Sequence, residues 1–372
     1  MTLVPHLFPD FIRSIVAFAV VLGVLVTVHE LGHYLAARWR GVGVEVFSIG
    51  FGRPIASWTD RLGTVWKLGW IPLGGYVKMH GQERPEDVPD EVRQSWDPRR
   101  TFQGKPVGSR AIIVAAGPIA NFVLAAVLFT GLFMAVGRPI VAPVVGQVLE
   151  NSAASRAGMM VGDRITTIGG DKIKTFADLQ RIVSTHPGDA LTITVLRAGK
   201  PVVLQVTTEA REDAGHRIGL LGVSGGTTEY LPVSPLAAVT GGIQQTWMVG
   251  AQTLGGIAEM VSGQRGTDEL GGPIRIAQLS GQVALLGFAN LVSFIALLSV
   301  NIGLINLFPI PVLDGGHLLF FAAEAVRGRP IPQRAQEYGF RAGLALLACL
   351  FVFATWNDIS HLGIVRMLSG HG

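Results

Sequence analysis

Four stretches of this 372-residue chain are apolar for long enough to cross a bilayer, at about 12–37, 108–136, 286–310 and 338–357. A hydrocarbon core about 30 Å thick needs roughly 20 such helical residues. Between them the pattern changes. Val44 to Met79 runs in short alternating segments punctuated by Gly50, Gly52, Gly74 and Gly75, which predicts a small β element at 44–79 beside the membrane. Residues 82–106 are polar and proline-bearing, as in an exposed loop. From Val144 to Thr207 strand-like runs alternate with a short amphipathic helix at Ala177–Ser184, predicting a compact α+β module of about 80 residues. Residues 226–285 combine glycines with Trp247, Met248, Leu254, Ile257 and Met260 on helical spacing. Such a segment either lies along the membrane surface or forms a packed helix pair.

Composition agrees with a membrane protein, since 49% of residues are hydrophobic and only 15% charged. The first apolar stretch lacks a strongly charged flank and a small-residue cleavage site, so it reads as a retained helix. The net charge is +4, but no basic run interleaved with aromatics suggests nucleic acid. Lys and Arg crowd the region from Arg38 to Arg110 and recur at Arg327, Arg329, Arg334 and Arg341, whereas the first ten residues carry none. By the positive-inside rule, the 37–110 loop, including 82–106, is cytoplasmic, both termini lie on the outer side and residues 137–285 are external. The single cysteine, Cys349, leaves no disulfide and no C-x-x-C pair, so a bound metal would use histidine and carboxylate ligands.

Chemistry enters with His29-Glu30-Leu31-Gly32-His33. Histidines four apart share one helix face, with Glu30 about 100° from His29. Two neutral imidazoles, a third protein ligand and a water whose pKa falls to about 7 make a hydrolytic zinc site, and Glu30 is placed to take the water's proton. The motif alone is a moderate signal. Its position adds weight, because each ionisable group in the hydrocarbon costs on the order of 3 kcal/mol, which argues against three on one arc by chance. The third ligand must come from another apolar segment. Asn306-Leu307-Phe308-Pro309-Ile310-Pro311-Val312-Leu313-Asp314-Gly315-Gly316-His317 offers Asp314, with His317 as rival, or an Asp314 that merely caps the next helix. Prolines unwind the backbone here, and such backbone at membrane depth must line a wet cavity or be buried in protein. Asn301 and Asn306 either hold substrate and stabilise an oxyanion or serve as polar glue between helices.

His29-Glu30-x-x-His33, Gly117-Pro118-x-x-Asn121 and Asn306-x-x-Pro309-x-Pro311-x-Leu313-Asp314-Gly315-Gly316 together resemble the site-2 protease family. Ile71-Pro72-Leu73-Gly74-Gly75-Tyr76-Val77-Lys78-Met79 and an external module resemble its regulator of sigma-E protease branch. The resemblance implies one Zn2+ held by His29, His33 and Asp314, Glu30 as general base, and a membrane-reentrant β element that presents substrate. Pairing an unwound substrate as an added strand replaces the hydrogen bonds its helix loses, and the edge around Gly74, Gly75, Tyr76, Val77 and Lys78 is the candidate. The module resembles a PDZ domain, with peptide C-termini as partners and Gly219-Leu220-Leu221-Gly222 as a candidate carboxylate cradle. The branch often carries two such modules, and this sequence has one clear copy.

The expected fold is thus a polytopic α-helical membrane protein of about four transmembrane helices, with a membrane-associated β element and one inserted α+β PDZ-like domain. Its parts are 1–136, the PDZ-like 140–225, the amphipathic 226–285, and 286–372. The expected function is intramembrane zinc endopeptidase in the bacterial inner membrane, cutting single-pass proteins such as anti-sigma factors or remnant signal peptides, with the active site toward the cytoplasm. A non-catalytic scaffold or ion carrier is the alternative, and Glu30, which holding zinc does not require, argues against it.

Overall fold

A computed structural model of the protein describes residues 4–83, 88–94, 96–213, 216–264, 266 and 271–361. Two compact units emerge, Met1–Leu132 with Val239–Gly372, and Phe133–Ala238.

The chain begins with α1 (Val4–Trp39). Val16, Val20 and Val24 stay exposed on one side, while Val21, Leu25, His29 and His33 are buried on another. Residues four apart share a face, so one helix offers lipid an apolar stripe and the interior a second stripe that passes from alkyl to imidazole. Two strands follow, β1 (Val44–Thr59) and β2 (Val65–Met79). Gly50 and Gly52 take φ of +84° and +86°, which side chains with a Cβ rarely adopt, and β1 bends there. Its first half is consequently paired on both sides: Phe47 faces Val77 and Trp66, and Ile49 faces Gly75 and Leu68. The bent hairpin is four rungs wide, in the order 75–79, 44–49, 65–69, 54–59, and rung 75–79 is an outer edge. The segments read as short strands in the sequence are therefore two long, bent ones. Phe51, Ile55, Trp70 and Ile71 stand exposed around the far end of the hairpin.

A short α2 (Asp90–Gln94) and the long α3 (Val107–Ala135) complete the first half of the membrane unit. Lipid tails supply no hydrophobic drive for helix pairing, so close contact depends on small residues. Gly32 of α1 accordingly lies directly against the Ala116 carbonyl and Ala120 of α3.

The second unit holds β3 (Arg138–Val141), β4 (Val145–Val148), α4 (Ala153–Arg156), β5 (Arg164–Ile168), β6 (Asp171–Lys172), α5 (Phe176–Ser184), β7 (Ala190–Arg197), β8 (Lys200–Thr207), β9 (Glu209–Asp213), β10 (His216–Leu220), β11 (Val223–Gly225) and β12 (Thr228–Leu231). A four-stranded sheet of order β6-β5-β7-β8 is joined by the pairs β4–β11, β3–β12 and β9–β10. Alternate residues Leu191, Ile193 and Val195 of β7 meet Leu179 and Val183 of α5 in the core. A capping box between Thr175 and Asp178 starts α5 at Phe176, one residue before the sequence expectation. The unit also outruns the expected 140–225 limits, because β12 returns to pair with β3 from Thr228↔Val141 to Leu231↔Arg138.

Buried Asp163 ties the entry to β5. Arg197 Nε and Nη2 donate to its two oxygens at 2.8 and 2.7 Å, and the Met160 N–H donates at 2.9 Å. These bonds hold its carboxyl below the ordinary carboxylate range. A depressed pKa contributes stability that is full above the unfolded value of about 3.9 and lost as pH falls through the lower folded value. Amide exchange of the β5–β7 core is therefore expected to accelerate below about pH 4, and Asp163→Asn should abolish that acid step while lowering protection at neutral pH.

Five helices follow: α6 (Pro235–Val261), α7 (Pro273–Leu285), α8 (Phe288–Asn306), α9 (Asp314–Arg327) and α10 (Gln333–His361). Among the described residues, four helical segments are long and apolar enough to span a membrane, Phe11–Trp39, Val107–Ala135, Phe288–Asn306 and Gln333–Ser360. Within 226–285, each of the two helices touches another helix of the membrane unit. Gly242 of α6 sits against the Ala126 carbonyl and Thr130 of α3, and Gly281 of α7 against Ser14 of α1. Asp358 of α10 accepts from the Gly272, Ile274 and Arg275 N–H groups, capping α7 from a neighbouring helix.

Candidate metal centre

His29 and His33 project from the buried stripe of α1 with their Nε2 atoms 3.2 Å apart and their rings nearly perpendicular. Asp314 reaches them from the break between α8 and α9. Pro309 and Pro311 cannot continue α8, and Val312 takes φ of +113°, a region costly for a β-branched residue. That turn puts Asp314 at the first position of α9. The N-cap is Leu313, so Asp314 is no mere helix cap. Its Oδ2 lies 3.1 Å from His29 Nε2 and 3.4 Å from His33 Nε2. Yet this buried oxygen has no hydrogen-bond partner among the described residues, so the three atoms converge on a shared point and not on one another. Ligands at roughly 2.0–2.1 Å from a tetrahedral zinc stand about 3.3 Å apart, which matches all three separations. The donor set fits zinc.

His317, the rival ligand, lies one turn further along α9. Its ring packs 5.3 Å from that of Phe340, and His29, His33 and Asp314 alone form the convergent set among the described residues. Glu30 opens on the same cavity, of about 1330 Å³, which Tyr76, Val77, Asn306 and His317 also line. The β2 edge passes directly over it. A Cβ on Gly75 would lie 3.5 Å from Glu30 Cγ.

The profile of peptidase family M50 matches residues 17–350. The chain belongs to peptidase family M50. A protein of Agrobacterium fabrum whose name marks it as a candidate zinc metalloprotease is 47% identical over 361 residues, 94% of this chain and 96% of its own length. Metalloprotease MmpA of Caulobacter vibrioides is 37% identical over 394 residues, 97% and 98% of the two chains. Regulator of sigma-E protease RseP of Escherichia coli is 34% identical over 455 residues, 95% of this chain and all of its own. The M50 family is that of the site-2 proteases, so this M50 chain is a zinc metalloprotease, and its four apolar helices make it a membrane protein.

Of the other residues singled out in the sequence, Tyr76 and Val77 reach the M50 cavity and Gly75 abuts Glu30, as above. Gly74 takes φ of +113° with the Phe51 ring packed where a side chain would stand. Lys78 is spent on Glu45 at 3.3 Å and Glu83 at 3.7 Å. Asn306 lines the cavity while its Nδ2 donates to the Ile302 carbonyl at 3.1 Å. Asn301 accepts from Thr253 Oγ1 at 2.9 Å, joining α8 to α6.

Sequence reasoning missed the supporting face of α3. Ile113, Gly117 and Asn121, spaced by four, face the two histidines: the Ile113 carbonyl accepts from His33 Nδ1 at 2.9 Å, Gly117 makes room for the His33 ring, and Asn121 meets His29. It also missed Arg110 of α3, whose guanidinium donates to Glu324 of α9 at 2.6 Å and covers the Phe321 ring, with both charged side chains nearly buried. Removing one partner of such a pair strands the other charge, whereas replacing both with apolar groups is often neutral. Glu324→Leu is expected to cost about 3 kcal/mol in thermal unfolding, and Arg110→Met with Glu324→Leu to recover most of it.

Proposed function

We propose that this chain is an intramembrane endopeptidase that cuts the transmembrane segments of single-pass proteins, of the anti-sigma-factor or remnant-signal-peptide type, in regulated intramembrane proteolysis at the bacterial inner membrane. The convergence of His29, His33 and Asp314 within a bundle of apolar helices is the observation that carries the reading. These three residues would hold one zinc, which when bound would act as a Lewis acid and lower the pKa of a water to about 7. Glu30 takes the proton of the attacking water and passes it to the departing amide nitrogen. Asn306, at the cavity wall, donates to the developing oxyanion. His33 is held by Ile113, so its ring does not swing as charge moves.

A transmembrane helix hides its amides from attack, and the 75–79 rung offers an unpaired backbone edge above Glu30 for the strand the substrate must become. The exposed aromatic and alkyl end of the hairpin, Phe51, Ile55 and Trp70, suits it to dip into the membrane from the cytoplasmic side. The Phe133–Ala238 unit acts as an external PDZ-like module that admits only trimmed substrates or captures new C-termini, with the Gly219–Gly222 turn as carboxylate cradle.

Disulfide trapping tests the edge. Cys349 is the chain's one cysteine, so Tyr76→Cys in a Cys349→Ala protein is the sole thiol. It is expected to cross-link to a cysteine near the scissile bond of a membrane-anchored reporter. Cross-linking from Trp58→Cys instead would place the substrate on the opposite rung and reject the 75–79 edge.

A further inference from the structure

The Gly117-Pro118-x-x-Asn121 motif has no part in the chemistry above, yet Asn121 is completely buried beside it. Its Nδ2 lies 3.2 Å from His29 Nδ1, and its Oδ1 is buried with no hydrogen-bond partner among the described residues. The residue is fixed from several sides: its backbone carbonyl accepts from Ser299 Oγ at 2.8 Å, and Gly303 of α8 leaves room at its Cβ. A polar side chain clamped this firmly, with one amide atom unspent, has a task that packing does not explain.

Tautomer chemistry supplies the task. An imidazole that gives its Nε2 lone pair to a metal carries its proton on Nδ1, and that proton needs an acceptor. His33 already has one in the Ile113 carbonyl. The Asn121 amide stands beside His29 Nδ1, and a half-turn about its Cβ–Cγ bond exchanges Nδ2 for the unpartnered Oδ1. With Nδ2 facing Nδ1, His29 would keep its proton on Nε2 and could not ligate. With Oδ1 facing it, the proton moves to Nδ1 and Nε2 is free.

We infer that Asn121 is a positioning residue of the metal centre, whose amide oxygen accepts the Nδ1 proton of His29 and so fixes the ligating tautomer and ring angle. Together Ile113 and Asn121 make α3 a template that orients both histidines, two helical turns apart on one face. The inference rests on His29 being a ligand, as proposed above.

Zinc retention by the full-length purified protein tests it, read by competition with a chelator, with the visible spectrum of the Co2+-substituted protein as a second signal. Asn121→Leu is expected to weaken retention about 10- to 100-fold and to shift the Co2+ bands. Asn121→Asp, which can accept but not donate, is expected to bind zinc at least as tightly as the unaltered chain with an unshifted spectrum. A folded Asn121→Leu protein that holds zinc normally overturns the inference. So does a folded Asn121→Asp protein that binds as weakly as the Leu variant, because the amide would then act as donor. If Asn121→Leu does not fold, Asn121→Asp decides on the same terms. His29→Ala separates the two readings: normal zinc retention there removes the ligand assignment itself, whereas zinc loss there with normal Asn121 variants removes only this inference.

Discussion

A Glu30→Gln protein is expected to retain its zinc and lose its proteolysis. Glutamine keeps the size of the side chain, but an amide cannot take a proton from water. Loss of a positioned general base costs roughly 10²- to 10⁴-fold. Because the proposed ligands His29, His33 and Asp314 do not include it, zinc content should match the unaltered chain. The check is single-turnover cleavage of a membrane-anchored reporter alongside atomic absorption on the same preparation. Full cleavage by a zinc-loaded Glu30→Gln protein would leave the proton with another group.

The second large effect is expected from a residue that touches no substrate and binds no metal. A Cβ added to Gly117 would overlap the Nε2 side of the His33 ring, and the ring cannot retreat while its Nδ1 is bonded to Ile113. Gly117→Ala is therefore expected to push His33 off the point shared with His29 and Asp314. A displacement of about 1 Å is enough to lower activity by 10² or more, and zinc retention should fall with it. Gly131→Ala is the matched control in the same helix, since nothing lies within 4 Å of its added Cβ. There the better helix former should leave zinc and activity unchanged and stabilise α3 by up to about 1 kcal/mol. Equal behaviour of the two variants would mean that α3 does not shape the site.

How much of this was legible depends on how local each feature is. The stripe Val21, Leu25, His29, His33 is written in a spacing of four, so the histidines and their burial follow from helix geometry alone. Asp314 was a candidate because two prolines and an acid inside an apolar segment demand a reason. Choosing it over His317 required the turn at Val312, whose φ of +113° the sequence does not announce. The β element was visible as alternation, but its bends were not. Positive φ at Gly50 and Gly52 folds the strands back, and only the resulting double pairing makes 75–79 an edge beside Glu30. β12 escaped notice because four residues carry almost no periodicity, and it is defined by its partner β3. Asn121 sat in a recognised motif, but its meaning depends on a contact between helices that no local pattern encodes.

The most direct test of the centre compares zinc retention in Asp314→Asn and His317→Ala at matched protein and chelator concentrations. Asp314 Oδ2 is the buried, unpartnered atom 3.1 Å from His29 Nε2, whereas His317 packs on Phe340 outside the convergent set. Asp314→Asn is therefore expected to release zinc far more readily than His317→Ala, which should stay close to the unaltered chain. The reverse order would contradict the three-ligand centre and move the third ligand to His317.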